Sequence, residues 1–417
     1  MLKQKSQINS QRISERIMEL SNIGKHKNGG VTRKALTKED RLAQLLIIKW
    51  MKQAGLHVRI DNYGNVIGRK ESIYNDRPAV AIGSHLDTIP NGGFFDGTIG
   101  VIGGIEVAQV IHDEGIEISH PLEVIVFSDE EGARFKGALF GSRGMVGKVK
   151  KEELYTKDTH GTNRYSALEA FGLQPNFIHH DIRKKGELKV FLEMHIEQGP
   201  YLESQNKPVG IVVGLAGPVW LTVEVHGDSG HAGTVPMSLR RDPMAGAAEM
   251  ILNIETICFG EDTPIVGTVG SIKAKPGVAN VIPESVEFTV DIRDIDSDSR
   301  TEKIEEIKEM VMKVCNKRGL TTEIKEHLHE DPIDCAEHVI DTMEKAGAKL
   351  KLSPPLMISG AAHDAMVMSE ITDVGLLFVR CYDGGSHNEH EWAEITDITK
   401  GVALLLETTL AYVKNRF

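Results

Sequence analysis

The sequence predicts an α/β fold: a large domain with a mostly parallel sheet, interrupted by an inserted α+β domain of ferredoxin-like order. Three observations carry this. Short apolar runs alternate with helical segments in the first half of the chain and again near its end, as in a parallel sheet covered by helices. The middle of the chain instead reads β-α-β-β-α-β. Gly210, Gly214 and Gly217 before that middle section, and Asp331-Pro332 after it, mark hinges near 208–217 and 328–333.

The elements follow in order. Residues 8–24 read as a helix, and 38–54 more strongly so, with Leu42, Leu45, Leu46 and Met51 roughly on one face and Gly55 as its end. The run PAVAIGS (78–84) is a buried strand, and a glycine-rich loop leads from it to a helix over 98–113. LEVIVFS (122–128) and LKVFLEM (188–194) are two further buried strands. VGLLFVR (374–380) is another, followed by a closing helix over 395–414. In the middle, strand 219–226, helix 238–256, strands 265–272 and 284–293, helix 299–317 and strand 321–327 succeed one another. Over 284–293 the alternation is clean: Val286, Phe288, Val290 and Ile292 on one face, Glu287, Thr289, Asp291 and Arg293 on the other. That is the pattern of a half-buried antiparallel strand.

At 417 residues the chain is long for one domain and sufficient for two. A hydrophobic fraction of 41% and a charged fraction of 26% are those of a globular protein with a sizeable core. The net charge of −12 argues against nucleic acid or an anionic membrane as partner. It leaves room for an anionic small molecule, because a few local arginines can hold a carboxylate. The polar N-terminus has no apolar run of signal-peptide length, and no segment approaches the roughly 20 apolar residues of a membrane helix. Cys258, Cys315, Cys335 and Cys381 are scattered without a CxxC pair, as expected of reduced thiols in a cytoplasmic protein.

Polar groups cluster where the expected strands end. The first strand runs into His85-Leu86-Asp87, the second into Asp129-Glu130-Glu131 and the third into His195-Ile196-Glu197. In open α/β sheets ligands bind beyond the carboxyl ends of the strands. Asp96, in the loop GGFFDG, and His387, in GGSHNEHEW, complete a set of two carboxylates and three histidines. Such a set suits two divalent ions of the Zn, Mn, Co or Ni kind, one carboxylate bridging them. Asp87, two residues after His85, is placed to orient that imidazole. One of the adjacent Glu130 and Glu131 can be a ligand and the other a base that takes a proton from the attacking water. Taken singly these features are bland: a histidine after a strand is usually a polar cap, and paired glutamates are usually a solvated turn. His179, His180, His327 and His329, in charged stretches, are bystanders on that logic. Several strand ends carrying such groups at once is what sets them apart.

The motifs also carry a resemblance. GSHLDT (83–88), NGGFFDGTIGV (91–101), SDEEGARFKGALFGSRGM (128–145), MHIEQGP (194–200), SGHAGTVPM (229–237), ANVIPESVEFTVDIRD (279–294), SGAAHDA (359–365) and SHNEHEW (386–392) run in order along nearly the whole chain. With GGVTRKALTKEDRLAQ (29–44), they resemble the carbamoylase and allantoate amidohydrolase branch of the dinuclear metallopeptidase superfamily. MHIEQGP and the DEEG-x-RF run are the stretches specific to that branch.

The resemblance implies roles. Residues 1–212 and 329–417 would form the catalytic domain, and 213–328 a lid and dimerisation domain, so a homodimer is implied. His85 and His195 would each serve a different ion, Asp96 would bridge, and Glu131 and His387 would complete the two spheres. Glu130 would be the general base. Gln198, His231, Asn280, Arg293 and the Gly360-Ala361 loop would contact substrate, His231 steadying the oxyanion and Arg293 the carboxylate, in part across the dimer. By themselves Arg293 reads as a solvated strand residue and His231 as a turn residue between glycines. The implied reaction is hydrolysis of the ureido C–N bond of an N-carbamoyl-L-amino acid to amino acid, carbon dioxide and ammonia. Allantoate and N-carbamoyl-β-alanine are alternative substrates of the same kind. An aminoacylase or exopeptidase is a more distant alternative, against which MHIEQGP argues, and so is a catalytically inactive binding protein, against which the complete set of site residues argues. The chain departs from the branch at Ala362, where glycine is usual. It also departs at Asn388-Glu389-His390-Glu391, where a proline is usual, and Phe94 and Phe95 are expected to crowd the approach to Asp96.

Overall fold

The structure is a computed structural model and describes residues 8–74, 76–260 and 264–414. The N-terminal sequence up to residue 7 lies outside the described residues. By its internal contacts the chain forms two units, one from the described parts of 1–213, 335–357 and 363–417, the other from 214–334 and 358–362. The segment 358–362, expected with the catalytic part, joins the second unit because the Ala216 amide donates to the Ser359 carbonyl at 2.8 Å.

The first unit is built on a mixed sheet. Leu122–Phe127, Ala79–His85, Leu188–Ile196 and Val374–Val379 lie side by side and parallel at its centre. The hairpin His57–Ile60 and Val66–Lys70 adds antiparallel strands beside Leu122–Phe127, and Val209–Leu215 pairs antiparallel with Val374–Val379. The flanking strands were not expected, and Val209–Leu215 occupies the stretch read as a hinge. The central runs are mostly apolar because they are buried almost from end to end. Helix Thr98–Asp113 lies against them and is itself surrounded by helices Ser10–Ser21, Lys38–Gln53 and Ile395–Val413. It is buried from Thr98 to Ile111, which is why its sequence is apolar all round.

Helix Lys38–Gln53 corrects the sequence reading in one respect. Its buried face carries Ala43, Ile47, Trp50 and Met51, while Leu42 and Leu45 are exposed. Both sets fit a helical period, and the tertiary contact of Ile47 and Trp50 with the core selects between them.

The second unit is an antiparallel sheet with helices Pro243–Cys258 and Ser297–Arg318 packed on it. Strand Ser285–Asp294 pairs with Gly217–His226 along its whole length, and Gly217–His226 pairs with Thr321–His329. Val286, Phe288, Val290 and Ile292 are buried, as the alternation requires. The strand expected over 265–272 is two, Val266–Thr268 and Ile272–Lys275, both beside Ser285–Asp294. Residues 269–271 oppose only 289–290, so an extra residue breaks the ladder, as in a bulge. Among the described residues the four cysteines are buried and form no disulfide, and no helix is long and apolar enough to cross a membrane.

Candidate metal centre

Three parallel strands deliver the site. Ala79–His85 is flanked by Leu122–Phe127 and Leu188–Ile196, so the residues at their carboxyl ends open at the same edge of the sheet. Asp96 arrives there from the loop before helix Thr98–Asp113. Gly97, at φ 62°, closes that loop: a Cβ on it would meet the His85 ring at 2.4 Å.

The Asp96 carboxylate is the hub. Its Oδ1 lies 3.2 Å from His85 Nε2 and 3.2 Å from His195 Nε2. Its Oδ2 lies 3.5 Å from His387 Nε2, and that ring nitrogen is 3.7 Å from Glu131 Oε2. Two donor sets share Asp96: His85 and His195 on one side, Glu131 and His387 on the other. His85 and His195 therefore face one position together, not one ion each, because they end neighbouring strands. Glu130 Oε2 lies 3.7 Å from His85 Nε2.

Both buried rings are oriented by backbone carbonyls. His85 Nδ1 faces the Asp87 carbonyl at 3.0 Å, and His195 Nδ1 faces the Ile196 carbonyl at 2.9 Å. A carbonyl only accepts, so Nδ1 holds the proton and each ring, when neutral, turns its Nε2 lone pair inward. The Gly97 amide donates to His195 Nε2 at 3.0 Å, which requires a lone pair on that nitrogen. Lone pairs and a carboxylate aimed at one point repel unless positive charge lies between them. A divalent cation answers that need, and these donors are of the type that Zn, Mn, Co and Ni accept. The residues present fit the metal.

The electrostatics show the same need for positive charge at this point, which protonation of the rings also meets. Burial drives the Glu130 carboxyl well above the usual range, with Asp364 and Glu131 adding to the shift. Burial raises Glu131 to about 8, helped by Asp96. Burial opposes charge on Asp96 as well, yet His195 and His85 hold it well below its usual value. Burial opposes charge on His85, but Glu130 and Asp96 raise it well above.

Asp87 acts by two routes, and neither is the expected contact of its side chain with the ring. Its carbonyl orients His85, while its carboxylate accepts from the Glu130 and Glu131 amides at 3.1 Å each. Glu197 turns aside to accept from the Tyr201 and Leu202 amides. Gln198 stands in the centre, its Nε2 donating to Asp96 Oδ2 at 2.8 Å and to Ser386 Oγ at 3.0 Å.

Other expected contacts belong to the second unit and form two groups there. His231 and Asn280 adjoin: Gly230–His231 pairs with Val281–Ile282, and the Ala232 amide donates to the Asn280 carbonyl at 3.0 Å. Arg293 holds Asp291 through Nε and Nη2 at 2.9 and 2.7 Å and donates from Nη1 to the Gly360 carbonyl at 2.7 Å. The neighbouring Ala361 amide donates to Ser359 Oγ at 3.2 Å.

Several residues escaped the sequence reading. Buried Glu391 accepts from the Phe95 and Asp96 amides at 2.9 and 3.0 Å and so fixes the loop that presents Asp96. It sits where a side chain on Gly93 would stand, with a Cβ there meeting it at 2.1 Å. His363 lies ring against ring with His195, 4.6 Å between centroids, and burial keeps it neutral. Glu193 accepts from Ser84 Oγ at 3.0 Å and from the Ala365 amide at 2.8 Å. The one sequence signal among these was Glu193, a carboxylate in an otherwise mostly apolar run. Phe95 does not crowd Asp96 as expected: it is a core residue packed edge-on against Trp392.

Parallel strands ending on shared carboxylate and imidazole donor sets, in a chain that also carries a ferredoxin-like unit, define a metal-dependent hydrolase. The profile of peptidase family M20/M25/M40 matches residues 81–411. An N-carbamoyl-L-amino-acid amidohydrolase of Pseudomonas sp. (strain NS671) is 50% identical over 97% of this chain and 99% of its own. Allantoate deiminase 2 of Glycine max is 37% identical over 96% of this chain and 89% of its own. A crystal structure of an amidase of the hydantoinase/carbamoylase family from Burkholderia multivorans superposes with a TM-score of 0.94 at 32% identity, covering 99% of this chain and 100% of that one. The chain belongs to peptidase family M20/M25/M40, among its hydantoinase/carbamoylase amidases.

Proposed function

We propose that the protein is an amidohydrolase that cleaves the ureido C–N bond of N-carbamoyl-L-amino acids, using two divalent ions of the Zn, Mn, Co or Ni kind. The observation that carries this is the pair of donor sets sharing Asp96, with Glu130 beside them. His85, Asp96 and His195 would hold one ion, and Asp96, Glu131 and His387 the other. When bound, the ions polarise the ureido carbonyl and make water acidic enough to attack it. Glu130 takes the proton of the attacking water and returns it to the departing amino nitrogen. Its burial makes it a stronger base than an exposed glutamate. Asp87 keeps the Glu130 and Glu131 backbone in register for these roles.

Substrate contacts are assigned to Gln198, His231, Asn280, Arg293, Gly360 and Ala361. His231 donates to the developing oxyanion. Arg293 takes the substrate carboxylate. A guanidinium has five N–H groups, and the contacts with Asp291 and Gly360 engage three nitrogens once each. One N–H on each Nη then remains, a pair spaced for a carboxylate. The same reading makes the protein a cytoplasmic homodimer.

The allantoate deiminase relative supports a second reading, in which allantoate, also a ureido group next to a carboxylate, is the substrate. β-Ureidopropionase activity is a third of the same kind. A hydrolysis screen decides: N-carbamoyl-L-amino acids, N-carbamoyl-β-alanine, allantoate and dipeptides, each with Mn, Co, Ni or Zn supplied. N-carbamoyl-L-amino acids are expected to give the highest kcat/KM. A higher value for allantoate would transfer the assignment, and cleavage of dipeptides alone would overturn it.

A further inference from the structure

We propose that Arg164 is a positioning residue for Glu130 and Glu131, acting through Asp129; this rests on the roles given above to those two glutamates. Asp129 directly precedes them and holds φ at 55°, the left-handed region that a residue with a Cβ enters only when its surroundings insist. The turn is laced to the next segment: the amides of Leu139, Phe140 and Gly141 donate to the carbonyls of Glu130, Asp129 and Ser128 at 2.8, 3.1 and 2.8 Å. From one side the Asp87 carboxylate holds the two glutamate amides. From the other, Arg164 Nη2 donates to Asp129 Oδ2 at 2.8 Å, with side-chain exposures of 0% and 1%.

The guanidinium is itself fixed. It lies 4.1 Å from the Phe140 ring centre and 5.0 Å from that of Phe135. A buried ion pair adds little net stability, because desolvation offsets the attraction. What this one adds is a fixed direction for the Asp129 carboxylate, and hence a fixed backbone at the residue that leads into both glutamates. The guanidinium stands against an apolar cluster that contains Phe135, Phe140, Ala167 and Leu168.

The test uses the full chain with Arg164→Met, Arg164→Lys and the double variant Asp129→Gly/Arg164→Met. Glycine adopts the left-handed conformation without an anchor, so the double variant removes both the buried charges and the need for them. Mn or Co alone is titrated into each metal-free protein, and kcat and KM are measured on the best substrate of the screen. Arg164→Met is expected to weaken the weaker metal site and to lower kcat, each about 10–100-fold, with KM nearly unchanged. Arg164→Lys should fall between, and the double variant should recover most of both losses. Should Arg164→Met fail to fold, the other two variants still decide. A folded Arg164→Met with wild-type metal affinity and kcat would overturn the proposal. So would a double variant that regains thermal stability without metal affinity or kcat, since Arg164 would then be core and nothing more. If the wild-type chain hydrolyses no ureido compound, the functional reading fails while the metal titrations still judge Arg164.

Discussion

A carboxyl group that accepts and returns a proton works best shielded from water yet close to positive charge, and Glu130 has both conditions. Glu130→Gln keeps the size and polarity but not the base. It should lower kcat about 10²–10⁴-fold and leave the metal content per chain as in wild type; a variant of normal turnover would remove Glu130 from the mechanism. Glu391 plays a different part, since it accepts from the amides that present Asp96. Glu391→Gln retains one acceptor oxygen and sheds a charge that burial already opposes, so it should bind metal nearly as wild type does. Glu391→Ala leaves two buried amides without an acceptor, at about 1–3 kcal/mol for each, and should lose metal. Equal metal binding by both variants would show that the loop needs no such support. For Arg293, a charge-assisted contact worth about 1.5–3 kcal/mol implies that Arg293→Ala lowers kcat/KM roughly 10–150-fold. That loss should vanish on a substrate whose carboxylate has become an amide. An equal loss on both substrates would rule out the carboxylate contact.

Helix Thr98–Asp113 connects the site to the sheet. It can ride close to the strands because Gly100 faces them: a Cβ there would stand 2.3 Å from the Met194 carbonyl and 2.7 Å from Ser84 Cβ. Backbone cannot yield as a side-chain tip does, so Gly100→Ala must push the helix outward. Overpacking of this kind costs about 1–3 kcal/mol, and thermal unfolding should report a lower Tm. Asp96 and Gly97 lead into the same helix, so metal affinity should fall with it. An unchanged Tm and affinity would mean that the helix has slack the close contacts do not suggest. The three strands behind it are less exposed to such changes, because each is almost wholly buried and paired on both sides.

For the protein as a whole, the centre collects several carboxylates that burial disfavours, and a bound cation relieves them. Metal that binds the folded chain alone stabilises it by RT ln(1 + [L]/Kd), about 2.7 kcal/mol at a hundred times Kd. A chelator should therefore abolish activity and lower Tm, and added Mn, Co, Ni or Zn should restore both. A metal-free preparation that is fully active and equally stable would sink the central assignment. Sedimentation should give twice the chain mass of 45.9 kDa if the protein is a homodimer, and the chain mass itself would refute that.

The sequence alone determined much of this protein. Buried parallel strands must be mostly apolar, so 78–84, 122–128, 188–194 and 374–380 were legible, and so was the α-and-β order of the second unit. Strand ends in such a sheet are where polar groups can gather, which made His85, Glu130, Glu131 and His195 candidates before any contact was known. Only tertiary structure could decide the rest. Helix Lys38–Gln53 has two faces of plausible period, and the core chose Ile47 and Trp50. His85 and His195 share one side of Asp96 because strand order, which no local pattern encodes, makes their strands neighbours. Glu391, and the pairing of Arg164 with Asp129, depend on contacts across 296 and 35 residues of sequence. A carboxylate's role is set by what donates to it, and those donors lie far away along the chain.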